Sequence, residues 1–446
     1  MTGIDLEKAG NEALEHFANL LRIDTSNPPG NEDEAVNYIR SVLDSEGIPS
    51  ETFVYSPGRS CIVARLRGKR GPGLILDAHL DTVPATDEGW TRPPFAGDVY
   101  DGCLWGRGAL DMKHMVAMSL ETLVLFHRHK LPLERDLALV LTPDEETGAR
   151  GIEWLANNHP EQLEAEYALG EVGGMTMWVG ENRIYPVQVA QKGVAWIRLT
   201  ISGEAGHGSV PVSDGAMFRA GKIISRLQSL KFPVTSIDAV DDFLDELGSC
   251  RGFAAKMALR LARNRHGGHW LRRALIRDGK TAATLRALTS HTVNPTVVKA
   301  SDSLNVTPDS VQIDLDCRLM PGTTPESFAD DIRRVLGAGV KAELMRGKMG
   351  SVTSRDTDMY RVIESTVTRM DPGAKVVSWM VPGFTNGHAY INLGVKYYGF
   401  TPLMLPRGME FQDYFHSANE KCPVSGFKWG LKTLFEISRQ HVSLNL

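Results

Sequence analysis

GLILDAHLDTVP, residues 73–84, is the stretch on which the reading of this chain turns. Leu74-Ile75-Leu76 is an apolar run of strand length, and Pro84 closes the segment. Successive side chains of a strand point to opposite faces, so His79 and Asp81 share one face at its end. A carboxylate so placed can bind one ring nitrogen of a histidine whose other nitrogen holds a metal, fixing tautomer and orientation. The stretch reads as a buried strand that delivers chemistry at its C-terminal end.

Outward from it, strands and helices alternate. Leu6–Ile23 has Leu14, Phe17, Ala18 and Leu21 at helical spacing, and the breakers Asn27-Pro28-Pro29-Gly30 end that helix. A second helix is predicted from about Glu32 to Glu46, stopping at Gly47, and a strand over Ser60–Leu66. Met112–Lys130 reads as a long amphipathic helix, Leu137–Thr142 as a buried strand, Gly151–Asn158 as a helix and Tyr167–Glu171 as a short strand. This alternation indicates an α/β sheet covered on both faces. After about Gln188 the texture changes. Val189–Ser202 and Ser310–Arg318 alternate apolar and polar residues, helices are predicted over Asp214–Leu230 and Pro325–Leu336, and a strand near Val340–Met345. Two such units make a small α+β layer with one face covered and one open. The α/β pattern resumes near Tyr360 and ends in a helix over Val424–Gln440. The expected division is a catalytic domain in two parts, 1–188 and 348–446, with residues 189–347 inserted between them.

Composition sets the class. Hydrophobic residues make up 42% of the 446 and charged residues 23%, values of a soluble globular protein rather than a disordered or fibrous one. Lys and Arg number 49 against 54 Asp and Glu, a net charge of −5 that argues against a global grip on nucleic acid or anionic membrane. No run reaches the ~18 apolar residues of a membrane span. Residues 1–19 lack the basic and apolar regions of a secretory leader. Cys61, Cys103, Cys250, Cys317 and Cys422 are scattered, odd in number and never CxxC, as expected of reduced thiols in a cytoplasmic enzyme. Acidic Asp238–Glu246 and basic Arg251–Lys280, with His266, His269 and Trp270, form an excursion at about 233–280. It reads as a helical insertion whose charges are solvated or mutually paired, in preference to a nucleic-acid patch.

Further carboxylates and histidines follow the predicted strands. GRGALDMK at 106–113 begins like a dinucleotide fingerprint, but Asp111 stands where the third glycine belongs, so a cation suits this loop better than a phosphate. TPDEETG at 142–148 sets Asp144, Glu145 and Glu146 side by side at the end of a buried strand, which is costly unless something cationic lies against them. Glu171 opens EVGG, and His416 lies in FHSANE at 415–420. Strand ends sharing one edge of an α/β sheet converge on a crevice. His79, Asp111, Glu146 and Glu171 would meet there, and two histidines with three carboxylates and no cysteine suit one or two Zn²⁺ ions or a related divalent metal.

These segments, with GHGSVP at 206–211, resemble the M20 metallopeptidase and aminoacylase family along nearly the whole chain. The resemblance implies an α/β catalytic domain, with a central mixed sheet flanked by helices, and an inserted α+β, ferredoxin-like lid domain that often dimerises. It implies two divalent metals, Zn²⁺ foremost with Co²⁺ or Mn²⁺ possible. Asp111 would bridge them, His79 and Glu171 completing one site and Glu146 and His416 the other. Glu145 takes the place of the general base on a metal-bridging water, Asp81 that of the acid orienting His79, and His207 that of the oxyanion donor, often supplied by the partner subunit.

Substrate residues are implied in the same way. Asn294 and Arg318 resemble the lid residues that grip a carboxylate, and Arg forks onto a carboxylate with paired hydrogen bonds. Gly387 lies in GFTNGHA at 383–389, where many relatives carry a glycine-rich turn with Thr-Asp, so this chain departs from the family in a turn expected to line the substrate side. The 233–280 insertion resembles that of the larger carboxypeptidase S and N-acyl-amino-acid hydrolase branch. The function expected is hydrolysis of amide bonds in N-acyl-amino acids or small peptides. The alternatives are a biosynthetic deacylase of acetylornithine or succinyl-diaminopimelate type, or a non-catalytic binding protein on the same fold. No nucleic-acid or membrane partner is expected, and a homodimer through the lid domain is.

Overall fold

The computed structural model describes residues 3–86, 88–235, 237–262, 279–337 and 339–443. The chain divides into two compact units. Met1–Val189, Thr353–Ser378 and Thr385–Leu446 form the first, and Ala190–Val352 with Trp379–Phe384 the second.

The first unit is built on a large mixed sheet. Four neighbouring strands, Leu137–Thr142, Leu74–His79, Tyr167–Gly170 and Lys396–Gly399, run parallel. Arg59–Leu66 and Ser50–Ser56 extend the sheet antiparallel on one side, and Asn182–Gln191 on the other. Every residue of Leu74–His79, Leu137–Thr142 and Tyr167–Gly170 is buried, as parallel strands covered on both faces require. The register sets His79 opposite Thr142 and Leu76 opposite Leu169, so these strands end along one edge.

The helix expected over 112–130 forms as Lys113–Arg128, but it is not amphipathic. All residues from Lys113 to Phe126 are buried, because the helix packs on the strands Leu74–His79 and Leu137–Thr142 and beneath the helices Leu6–Arg22 and Val424–Ser443. Leu6–Arg22 starts where Asp5 accepts the backbone N–H groups of Glu7 and Lys8, each at 3.0 Å, and buries Phe17, Leu20 and Leu21.

The second unit holds a four-stranded antiparallel sheet in the order Thr292–Lys299, Ser310–Leu319, Gly193–Ser202, Val340–Lys348. With the helices Ala216–Gln228 and Pro325–Leu336 the chain order is strand-helix-strand-strand-helix-strand, the split βαβ arrangement. Ser310–Leu319 alternates partly exposed and buried residues throughout, and Val311, Ile313, Leu315, Cys317 and Leu319 join Leu199, Phe328 and Ile332 in one apolar cluster. Two departures from expectation have plain causes. The strand expected over Val189–Ser202 is two strands broken at Lys192, whose Nζ donates to the Ser290 carbonyl at 2.5 Å. Thr292–Lys299 went unrecognised as a strand because none of its residues is buried, so it carries no apolar alternation.

In the insertion, the helices Asp238–Arg251 and Phe253–Ala262 pack together, and Arg260 pairs with Asp245 at 2.8 Å. That pair follows the acidic-against-basic reading. Most of the basic run, with His266, His269 and Trp270, lies outside the described residues.

The one-sided core of the second unit gives a test in urea denaturation. Leu199→Ala, at a fully buried position, should cost about 2–5 kcal/mol, whereas Thr200→Ala, on the open face, should cost less than about 1 kcal/mol. Equal losses would contradict the assignment of faces.

Candidate metal centre

Three of the candidate ligands stand at the ends of neighbouring parallel strands. His79 is the last residue of Leu74–His79, Glu171 directly follows Tyr167–Gly170, and Glu146 lies in the loop after Leu137–Thr142. Asp111 sits in the turn that opens the Lys113–Arg128 helix. His416 occupies a left-handed position, φ 58°, shortly before Lys421–Pro423.

Asp111 joins the others. Its Oδ1 lies 3.1 Å from His79 Nε2 and its Oδ2 3.1 Å from His416 Nε2. His79 Nε2 is also 3.3 Å from Glu171 Oε2, and His416 Nε2 is 3.1 Å from Glu146 Oε2. The possible ligand atoms of His79, Asp111 and Glu171, and likewise those of Asp111, Glu146 and His416, lie within 4.8 Å of one another. Each group could hold a metal ion, and Asp111 belongs to both.

The surroundings fix these side chains. His79 Nδ1 lies 2.9 Å from the backbone carbonyl of Asp81 and 3.5 Å from its Oδ1, so that nitrogen is the donor and Nε2 is the one that would ligate a metal from a neutral ring. The Asp81 carboxylate chiefly holds the acidic loop: it accepts the backbone N–H groups of Glu145 (3.0 Å) and Glu146 (3.1 Å) and the amide of Asn27 (2.9 Å). Asp144 turns away from the centre, to Arg59 at 3.3 Å, Asn27 at 2.8 Å and Tyr55 at 3.0 Å. Of the three consecutive acids, Glu145 and Glu146 are left facing the centre.

The electrostatics describe a site in deficit of positive charge. Burial, then the charge of Glu171, raises Glu145 well above the usual carboxylate range. Burial and the charge of Asp111 push Glu146 up to about 7. Burial would also raise Asp111, but hydrogen bonds with His416 and His79 outweigh it and hold its carboxyl low. Hydrogen bonds to Asp111 and Glu146 push His416 up to about 10. His79 rises well above its ordinary value because Glu171 and Asp111 overcome the opposing effect of burial. Glu146 Oε1 is buried without a hydrogen-bond partner among the described residues, and the donor set is nitrogen and oxygen with no thiolate, so the residues fit hard or borderline divalent ions.

The other predicted positions fall as follows. Gly387 is buried at the start of the Gly387–Asn392 helix, and a Cβ there would meet the Tyr397 ring at 2.5 Å. This close approach serves the centre, since the Tyr397 hydroxyl donates to the Glu171 carbonyl at 2.8 Å. The neighbouring departures from the family turn are buried as well. Asn386 Nδ2 donates to Thr142 Oγ1 at 3.1 Å, and His388 Nε2 lies 2.8 Å from Glu153 Oε1. His207, Asn294 and Arg318 belong to the second unit. His207 is exposed, with Nδ1 2.8 Å from Ser209 Oγ. Asn294, on the strand Thr292–Lys299, is opposite Asp316. Arg318 is forked onto Asp316 at 2.6 and 2.9 Å, with its guanidinium 5.8 Å from the centre of the Phe384 ring.

Sequence reasoning assigned no role to Asn27, which joins Asp81 to Asp144, or to Glu420, whose buried carboxylate binds the loop carrying Asp111. Both stand in segments that were singled out, the breaker cluster and FHSANE, but their partners are far away in sequence.

Comparison with known proteins agrees with this centre. Residues 75–440 match the family described as Peptidase family M20/M25/M40. The chain is 27% identical over 382 residues to the human N-fatty-acyl-amino acid synthase/hydrolase PM20D1, covering 81% of this chain and 73% of that one. It is 26% identical over 399 residues to aminoacylase-1 of Sus scrofa, covering 87% and 86%. Its fold resembles that of the M20 family metallo-carboxypeptidase Sso-CP2 from Sulfolobus solfataricus, with a TM-score of 0.70 at 16% identity over 96% of this chain and 98% of that one. A family match spanning most of the chain, together with two ligand groups sharing Asp111, makes this protein a metallohydrolase belonging to peptidase family M20/M25/M40.

Proposed function

We propose that the protein hydrolyses the amide bond of N-acyl-amino acids or small peptides at a pair of divalent metal ions, with Glu145 as general base. The observation that carries this reading is Asp111, whose two oxygens face two different imidazole nitrogens at 3.1 Å each. His79, Asp111 and Glu171 would hold one ion and Asp111, Glu146 and His416 the other. Zn²⁺ suits this donor set, with Co²⁺ and Mn²⁺ as alternatives. Bound there, the ions supply Lewis acidity for the scissile carbonyl and for the attacking water.

The chain's own groups do the rest. Asp81 holds the backbone of Glu145 and Glu146, so the base stands beside the ligands without being one. Glu145 takes a proton from the attacking water and delivers it to the departing amine nitrogen. His207 keeps the oxyanion role, and Asn294 and Arg318 the carboxylate-binding role, that the sequence resemblance implies. Because Arg318 is already forked onto Asp316, a substrate carboxylate must share or displace that partner. The names of two relatives, a fatty-acyl-amino acid synthase/hydrolase and an aminoacylase, support an acyl-amino acid substrate.

Two broader assignments complete the proposal. Met217, Phe218 and Ile224 on the Ala216–Gln228 helix are 52%, 64% and 36% exposed, an apolar strip that supports a homodimer through the second unit. The cysteines are scattered along the sequence and never form a CxxC pair, which supports a reducing, cytoplasmic setting; no helix among the described residues is long and apolar enough to cross a membrane.

Glu145→Gln keeps the shape of the site and removes the base. It should retain metal by elemental analysis while turnover falls at least ~100-fold. Loss of metal with normal turnover on reloading would count against the base assignment. Metal uptake should also expel protons, because carboxylate neighbours raise His79 and His416 above their ordinary values and both must be neutral to bind metal. Calorimetry in buffers of differing ionisation enthalpy should give at least two protons released at pH 7, from the two histidines and in part from Glu146, with affinity rising as pH rises toward about 10. Uptake without proton release would remove the histidines from the ligand set. Arg318→Ala should raise KM at least ~10-fold for substrates with a free carboxylate and little for their amidated analogues. An equal change for both would make Arg318 structural.

A further inference from the structure

Within the reading of this site as a metal centre, we propose that Glu420 is the positioning residue that sets the separation of the two ligand groups, by locking the loop of Asp111 to the segment of His416. Glu420 is fully buried, and its carboxylate accepts four hydrogen bonds, all from residues 107–111. Oε1 accepts the backbone N–H groups of Leu110 at 2.6 Å and Asp111 at 3.1 Å, while Oε2 accepts Gly108 N–H at 3.0 Å and Arg107 Nη1 at 2.8 Å. The backbone carbonyl of Glu420 accepts a fifth bond, from Gly106 N–H at 3.1 Å.

The loop needs such a clamp. Gly108 has φ 87°, a left-handed conformation that glycine adopts freely in the unfolded chain too, so the loop has many alternatives to its folded shape. Its N–H groups at 108, 110 and 111 point inward to a carboxylate instead of pairing with a strand, and would be buried and unsatisfied without it. A carboxylate accepting several N–H groups is strongly directional.

The clamp also reaches the other ligand. Glu420 lies four residues after His416. Arg107 Nη1, besides binding Glu420, donates to the Ser417 carbonyl at 3.1 Å. Asn419 fastens the segment on its far side, donating from Nδ2 to the Gly89 carbonyl at 3.0 Å and accepting Thr91 N–H at 2.7 Å. The contact of Asp111 Oδ2 with His416 Nε2 is thus spanned by one short, doubly anchored piece of chain. Glu420 touches neither ligand atoms nor substrate. It acts by holding the backbone on which both histidine and aspartate are mounted.

The test uses the full-length protein loaded with Co²⁺, comparing wild type with Glu420→Gln and Glu420→Ala. Chelator competition measures affinity, the visible d–d spectrum reports ligand geometry, and thermal unfolding of the metal-free protein reports stability separately. Glu420→Gln keeps the volume and one acceptor oxygen, so it preserves the test should Glu420→Ala fail to fold. Glu420→Gln should weaken Co²⁺ binding about 10–100-fold and change the d–d bands. Wild-type affinity and spectrum in Glu420→Gln, with only the thermal midpoint lowered, would overturn this inference alone and leave the metal reading standing. Absence of Co²⁺ uptake by the wild-type protein would overturn both.

Discussion

Negative charge gathered at one point governs this structure. Asp111, Glu145, Glu146 and Glu171 converge where three parallel strands end, with two imidazoles set against them. Carboxylates at such distances cannot all stay ionised in a buried site unless positive charge is supplied. Hydrogen bonds with both histidines hold the Asp111 carboxyl low, while burial and the neighbouring carboxylates raise Glu145 and Glu146. Divalent cations held by these residues would answer the same demand.

The fold meets this demand by separating two tasks. Parallel strands, buried on both faces, set the coarse positions, since their register aligns His79 with the strand end at Thr142. Loops then make the fine adjustment through backbone N–H groups bound to carboxylates. Asp81 fastens the Glu145–Glu146 loop and Glu420 the loop of Asp111, while Tyr397 holds the Glu171 backbone. Charged acceptors bind amide donors strongly and directionally, so irregular segments become nearly as well defined as strands.

The turn at 383–389 is held by partners remote in sequence. Asn386, Gly387 and His388 are all buried, bonded to Thr142, pressed on Tyr397 and paired with Glu153 respectively.

The α/β class, the change of texture near residue 189 and the line of acids and histidines after successive strands are legible from local pattern, because strand alternation and ligand chemistry are properties of short segments. The completely buried character of Lys113–Phe126, the strand Thr292–Lys299 without a buried residue, and the roles of Asn27 and Glu420 are not, since each depends on neighbours remote in the chain. Residue types alone nominate His79, Asp111, Glu146, Glu171 and His416 as donors. Folding alone decides that Asp111 turns one oxygen to each histidine, because those contacts join residues remote in the chain, as Asp111 and His416 are.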